Sequence, residues 1–428
     1  MSSGPPVEPT SEVRPDAGDL GARIMALADR LAEHSESRGG LTCTYLSPAH
    51  RAVAMLLRDW MRAAGMAVAV DPVANVVGRY AAAHPGAKTL IVGSHYDTVH
   101  DAGKYDGRLG ILAALVVVER LHRAGVRLPY HLEVVAFSEE EGVRFSKPFI
   151  GSSAVAGRFD PAMLKLRDAT GFTLAELMQE AGLDPGAISA VARDPATLLG
   201  YLEVHIEQGP ALLQAGSPLG IVTAINGGVR QLIAVTGTAG HAGTVPMAMR
   251  HDAAAAAAEI VLAVERRWQQ ATGLVGTVGQ LAVPNGAVNV IPGVCELSID
   301  VRAGDDATRD AAVRDIHAEI ERIAARRGVR VAVRETLRTP AASCAPRLQA
   351  VLAQAAERAG AAAHYLSSGA GHDALMFGGM TDIGMLFVRC GNGGISHNPT
   401  ETVAAEDADS AARALLEALL LLAQGGRR

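Results

Sequence analysis

Three segments leave few folds open to this chain. They are a short apolar run at Thr89–Val92, a helix-length stretch at Leu109–Ala124 and a second apolar run at His131–Phe137. The two runs are too short for helices, and a glycine closes the first. They read as buried strands joined by a crossover. This β-α-β order implies an α/β fold, a mainly parallel sheet with helices on its faces. Amphipathic helices near Leu20–His34 and Pro48–Ala64 precede it, and Tyr201–Ile206 is a further strand candidate.

The pattern changes after about Ala224. Arg230–Gly237 reads as a strand, and Asp252 caps a helix that contains six consecutive alanines, Ala253–Ala258. Strands near Gly273–Val283 and Val294–Arg302, a helix over Asp305–Arg327 and a strand at Val329–Glu335 follow. That β-α-β-β-α-β order is the split βαβ, ferredoxin-like arrangement. The expected organisation is a flexible tail over 1–17, a discontinuous main domain over 18–225 and 340–428, and an inserted α+β domain over 226–339.

Composition excludes several classes. Apolar residues are 49% and charged residues 20% of the 428, enough to bury a large core. Lys plus Arg number 39 against 45 Asp plus Glu, a net charge of −6, so nucleic acid and anionic membrane surfaces are not expected partners. Apolar runs such as Ile111–Val118 fall far short of the ~20 residues a membrane helix needs. The four cysteines lie far apart with no C-x-x-C spacing, which argues against a disulfide framework or a thiolate zinc site and suits the cytoplasm.

Chemistry concentrates in four clusters, two of them just past strands of the β-α-β unit. His95 and Asp97, two apart, point the same way in extended chain, so Asp97 could hold the second nitrogen of His95. Asp106 follows in a glycine-rich loop. Taken alone, these are equally a turn histidine and a helix-capping aspartate. Glu139, Glu140 and Glu141 form a run of like charge that a cation would relieve, leaving one carboxylate as general base; alone, it is an acidic helix start or solvated loop. His205 and Glu207 are expected on one strand face. His397 stands in Gly394-Ile-Ser-His-Asn-Pro399, otherwise an ordinary Asn-Pro turn, with Glu401 beyond.

Together His95, His205 and His397 with Asp106 and Glu141 offer two half-sites of imidazole and carboxylate. That donor set suits two divalent ions, zinc or else manganese, cobalt or nickel. In 226–339, Arg302 is either a fork for a substrate carboxylate or the partner of Asp300. His241 is either an electrophile facing a developing oxyanion or a loop histidine. Spacing alone does not separate these readings. Leu297, Ile299 and Val301 should form one face of their strand, and Ser298, Asp300 and Arg302 the other.

The motifs Gly-Ser-His-Tyr-Asp-Thr-Val (93–99), Lys-Tyr-Asp-Gly (104–107), Glu-Glu-Glu-Gly-Val-Arg-Phe (139–145), His-Ile-Glu-Gln-Gly-Pro (205–210), Gly-His-Ala-Gly-Thr-Val-Pro-Met (240–247), Asn-Val-Ile-Pro-Gly (289–293), Ser-Gly-Ala-Gly-His-Asp-Ala (368–374) and Ile-Ser-His-Asn-Pro (395–399) occur in that order. This set resembles the hydantoinase/carbamoylase family of dinuclear-metal amidohydrolases, across nearly all of 20–425. The resemblance implies hydrolysis of a ureido or carbamoyl C–N bond in a small carboxylate, allantoate first and N-carbamoyl-L-amino acids, ureidoglycolate or β-ureidopropionate next. A related dinuclear-zinc peptidase or N-acyl amino acid hydrolase is the remaining alternative. It implies His95, Asp106, Glu141, His205 and His397 as metal ligands, with Asp106 bridging. Glu140 becomes the base and Asp97 the partner of His95. Gln208, His241, Asn289 and Arg302 become substrate contacts. The inserted domain becomes a lid and the interface of a homodimer, which could bring His241 from the partner. Histidine rather than an acid at 205 favours the carbamoylase branch over the peptidases.

Overall fold

The computed structural model describes residues 19–269, 271 and 273–425. The tail expected over 1–17 lies outside them. The described chain divides into two compact units. One comprises the residues up to Thr223 with Cys344–Leu366 and His372 onward; the other is Ala224–Ser343 with Ser367–Gly371.

The first unit is built on a mixed sheet. Its strands are β1 (Ala67–Val70), β2 (Val76–Tyr80), β3 (Thr89–His95), β4 (His131–Phe137), β5 (Leu198–Ile206), β6 (Leu219–Ile225) and the strand Ile383–Val388. They lie in the order β1-β2-β4-β3-β5, then Ile383–Val388, then β6. The four central strands are parallel and the flanking ones antiparallel. The sheet is thus parallel in its interior, and the sequence reading did not include its antiparallel rim. β3 and β4 are buried along their whole length, which explains why both read as unbroken apolar runs.

Helices α1 (Asp19–Ala32), α2 (Pro48–Ala63) and α3 (Arg108–Arg123) form where expected. Ser47 caps α2 by accepting the His50 amide, and Pro48 occupies its first turn. Ile111–Val118 of α3 is buried on every side, because α3 lies between the sheet and the helices α1 and Ala405–Gly425.

Register decides where the chemistry emerges. β3 and β4 run side by side with His95 opposite Phe137, so the segments after both leave from one edge. Val92 lies opposite Leu202 in β5; carried three residues further, that register sets His205 beside His95. Phe387 lies opposite His205, so the loop after Ile383–Val388 joins the same edge. The carboxyl ends of parallel strands are where open α/β sheets hold ligands.

The second unit is an antiparallel sheet with two helices. β7 (Gly227–Thr236) pairs with β12 (Val294–Ala303) and β13 (Arg330–Thr339). β9 (Leu274–Thr277) and β10 (Leu281–Ala282) both pair with β12, while β8 (Gly240–His241) and β11 (Val290–Ile291) form a separate ribbon. The single strand expected over 273–283 is broken: Thr277 lies opposite Asp300 and Leu281 opposite Leu297, so four steps on one side face three on the other. The extra residue makes a bulge, and Ser298 Oγ ties it back by accepting the Gln280 N–H at 3.0 Å. Cys295, Leu297, Ile299 and Val301 turn toward Ala256, Ala257 and Ile260 of one helix and Ile316 and Ile320 of the other. The polar alternates of β12 face away. Asp252 caps the alanine-rich helix through the N–H groups of Ala254 and Ala255. No helix among the described residues is long and apolar enough to cross a membrane.

Candidate metal centre

Asp106 stands at the middle of the site in the first unit, 2% exposed. Its Oδ1 faces His95 Nε2 at 3.6 Å and His205 Nε2 at 3.3 Å. Its Oδ2 faces His397 Nε2 at 3.1 Å, and that nitrogen is 3.4 Å from Glu141 Oε1. Two groups of donor atoms therefore share one carboxylate: His95, His205 and Asp106 on one side, His397, Glu141 and Asp106 on the other, each gathered within 4.8 Å. The first three are buried; His397 is exposed and marks the open side.

The backbone makes this approach possible. Gly107 has φ +65°, and a β-carbon there would run into the His95 ring. Glu139, Gln208 and His397 adopt positive φ of 48°, 57° and 52°, a costly conformation for side-chain-bearing residues that clusters at functional sites.

Proton positions follow from the partners. His205 Nδ1 lies 2.8 Å from the Ile206 carbonyl, and His205 Nε2 accepts the Gly107 N–H at 3.2 Å. A carbonyl requires the N–H at Nδ1, so the Nε2 lone pair points inward. His95 repeats the first of these contacts, with Nδ1 3.2 Å from the Asp97 carbonyl. His95 Nε2 and His205 Nε2 thus both face Asp106 Oδ1, a buried oxygen with no hydrogen-bond partner. Such an arrangement fits a divalent cation.

Electrostatics agree that the pocket lacks positive charge. Burial works against charge on Asp106, and the imidazoles of His205, His397 and His95 outweigh it, holding the carboxyl well below its usual range. The Asp106 carboxylate lifts His397 to about 9. Burial, then the charge of Asp106, lifts Glu141 to about 7. Burial also pushes Glu140 well up, and the Glu141 and Asp373 carboxylates add to the push. On His95, burial opposes charge but Asp106 and Asp97 prevail and raise it. That protonated state and the neutral tautomer drawn from the hydrogen bonds are alternatives. On His205, where burial also opposes charge and Asp106 also raises it, the bonds to Gly107 and Ile206 favour the neutral ring.

Asp97 does more than its expected part. Its carbonyl is the closer partner of His95 Nδ1, the carboxylate standing at 3.6 Å. That carboxylate accepts the N–H of Glu140 at 3.0 Å and of Glu141 at 3.1 Å. One side chain thus fixes both halves of the acidic run. Glu140 is 7% exposed, with Oε2 4.0 Å from His95 Nε2.

Glu207 is a correction. β5 ends at Ile206, and Glu207 turns away to accept the N–H groups of Ala211 and Leu212, capping a short helix instead of sharing a face with His205. Gln208 donates from Nε2 to Asp106 Oδ2 at 3.0 Å and lies 3.2 Å from His397 Nε2.

The remaining expected residues lie in the second unit. His241 and Asn289 share the β8–β11 ribbon, where Ala242 N–H donates to the Asn289 carbonyl at 2.9 Å; both side chains are exposed. Arg302 is forked onto Asp300, Nε to Oδ1 at 3.1 Å and Nη2 to Oδ2 at 3.0 Å, and also donates to the Gly369 carbonyl. Arg302 and Asp300, with Arg230, Gln280 and Ser298, border a cavity of about 670 Å³.

Sequence reasoning assigned no role to three buried residues close to the site, two of them, His372 and Glu203, beside His205. The His372 ring meets the His205 ring edge-on at 4.5 Å. Glu203 accepts from Ser94 Oγ, Tyr201 OH and the Ala374 N–H. Asp373 is fully buried. The motif at 368–374 contained two of them, without a spacing that suggests ligation.

Comparison with known proteins places the chain. The family model for peptidase family M20/M25/M40 matches residues 91–421.

The chain is a member of the M20/M25/M40 peptidase family.

This M20 chain is 40% identical over 410 residues to an N-carbamoyl-L-amino acid amidohydrolase of Geobacillus stearothermophilus, covering 95% of this chain and 98% of the relative. It is 39% identical over 420 residues to allantoate deiminase 2 of Glycine max, covering 91% and 87%. A solved hydantoinase/carbamoylase family amidase from Burkholderia ambifaria is 34% identical with a TM-score of 0.87, over 96% of this chain and 98% of that one. The M20 family uses divalent metals, and the donor groups around Asp106 are candidates to hold them.

Proposed function

We propose that this M20 enzyme hydrolyses the ureido or carbamoyl C–N bond of a small carboxylate, with allantoate as the first substrate. N-Carbamoyl-L-amino acids are the second reading, favoured by the 40% identical Geobacillus relative. The observation that carries the chemistry is the convergence of His95 Nε2 and His205 Nε2 on the orphaned Oδ1 of Asp106.

His95, His205 and Asp106 would hold one cation, and Asp106, Glu141 and His397 the other, zinc or else manganese, cobalt or nickel. Bound there, the cations supply Lewis acidity and lower the pKa of water. A ureido carbon is deactivated by its two nitrogens, so attack needs a base. Glu140, tethered through its N–H to Asp97, takes the proton of the attacking water and returns it to the departing nitrogen. The C–N bond breaks, and the carbamate released decays to ammonia and carbon dioxide. Arg302 and Asn289 select the carboxylate, while Gln208 and His241 complete the substrate contacts. The segment 226–339 acts as lid and as the interface of a homodimer, through which the partner subunit supplies His241. The cytoplasm is the expected compartment.

The test is ammonia release from allantoate, ureidoglycolate, N-carbamoyl-β-alanine and several N-carbamoyl-L-amino acids, with zinc or manganese supplied. Turnover of allantoate above the others supports the first reading, and turnover of a carbamoyl amino acid the second. Cleavage of dipeptides or N-acyl amino acids with no ammonia from any ureido compound would overturn both.

A further inference from the structure

Glu401 lies four residues beyond His397 and is 3% exposed. Three donors converge on its carboxylate. Oε1 accepts the N–H of Tyr105 at 3.0 Å and of Asp106 at 3.3 Å, and Oε2 accepts the hydroxyl of Ser396 at 2.7 Å. The first two belong to the loop that carries Asp106. The third belongs to the loop that carries His397. Glu401 N–H also donates to the Asn398 carbonyl at 3.0 Å, which closes the turn after His397 and fixes Glu401 relative to it.

Two segments nearly three hundred positions apart thus meet on one buried carboxylate. Gly103 is shaped to this contact, since a β-carbon there would overlap the Glu401 carboxylate. Ser396 has one hydroxyl proton and two carboxylates within reach, Glu401 at 2.7 Å and Asp106 Oδ2 at 3.2 Å. The shorter contact takes the proton. Glu401 therefore also keeps that hydroxyl from occupying the Asp106 oxygen that faces His397.

We propose that Glu401 is a positioning residue that registers the Asp106 loop against the His397 loop, so that the half-site of Asp106, Glu141 and His397 exists only while its carboxylate is in place. This rests on the dinuclear reading above and adds to it a residue that touches neither ion nor substrate. The side chain chosen at 401 follows from the donor count. A glutamine keeps a carbonyl for the two N–H groups, but its amide must donate to Ser396, whose proton then turns to Asp106 Oδ2. An alanine leaves the N–H groups of Tyr105 and Asp106 without an acceptor and turns the Ser396 hydroxyl to Asp106 Oδ2.

The experiment is zinc titration of the full chain, stripped with chelator beforehand, for wild type, Glu401→Gln, Glu401→Ala and Gly103→Ala. Metal content per chain and competition with a chromophoric chelator give both binding steps without substrate. Wild type is expected to bind two equivalents. In Glu401→Ala the weaker step should fall 10–100-fold, the range typical when a group supporting a ligand is lost, with the tighter step moved less. Glu401→Gln should recover most of that loss, and Gly103→Ala should reproduce it with the carboxylate still present. At saturating zinc the loss should appear in kcat with KM unmoved. Two zinc constants within threefold of wild type in Glu401→Ala overturn the inference. Should that variant fail to fold, unchanged constants in Gly103→Ala overturn it instead. A wild type that binds fewer than two equivalents overturns the dinuclear reading and this inference together, and the two failures are thereby distinct.

Discussion

Asp97 holds Glu140 by its backbone: the amide of Glu140 donates to Asp97 Oδ1 at 3.0 Å, and neither residue lies on a helix or strand. The other oxygen of Asp97 takes the next amide, that of Glu141. Asn at 97 keeps the volume but turns an NH2 toward one of those N–H groups. Asp97→Asn should lower zinc affinity or kcat by about 10–100-fold, as losses of supporting groups do. Calorimetric zinc binding with steady-state kinetics checks this. Wild-type values for both would show that the acidic run stands without Asp97.

Glu140→Gln keeps the hydrogen bond to Asp97, because that bond uses the backbone. It removes only the proton acceptor. The expected result is unchanged zinc content and turnover reduced at least ~10²-fold. A variant as active as wild type would move the base to another residue.

Arg302 is held by Asp300 on the polar face of β12. Arg302→Ala should raise KM for carboxylate substrates with a much smaller effect on kcat, because a binding contact common to ground and transition states is lost. Kinetics with an acid substrate and its amide analogue separate the cases. An unchanged KM for the acid would remove Arg302 from substrate binding.

His50 gives the pH dependence of stability. It is fully buried, stacked on Tyr96 with ring centroids 4.2 Å apart, and burial lowers its pKa from 6.5 to about 3. The unfolded chain takes up a proton below 6.5 and the folded chain does not until about 3. Stability from this group is therefore complete above 6.5 and falls as pH drops through that window. At about 1.4 kcal/mol per unit, moving from pH 7 to pH 4.5 should cost wild type roughly 2–3 kcal/mol more than His50→Phe, which keeps the ring stack. Urea unfolding of both at the two pH values measures the difference. Equal losses would mean that His50 ionises in place.

Much of the site was legible in the sequence, because its residues follow strands whose apolar runs are unbroken. His95, Asp106, Glu141 and His205 were readable for that reason, whereas His397 was readable only from its Asn-Pro turn segment, and the register between β3 and β4 brings the first clusters to one edge. The rim strands β1 and β2 were not readable: exposed, buried and small residues mix there without a clean period. Glu207 was misplaced because alternation was carried one residue past the end of β5. The break between β9 and β10 depends on a single extra residue, which periodicity cannot register. Glu401 was visible only as an acid beyond a turn, and its role depends on a contact with Tyr105 and Asp106, nearly three hundred residues earlier.

The bridging position of Asp106 also has a consequence for biosynthesis. His95, Asp106 and His205 are all translated well before His397. A chain that stops short of His397 has the residues of the first trio and lacks one of the second. Loading of the second ion would then report that synthesis has passed His397, and fragments released before it would carry an incomplete centre.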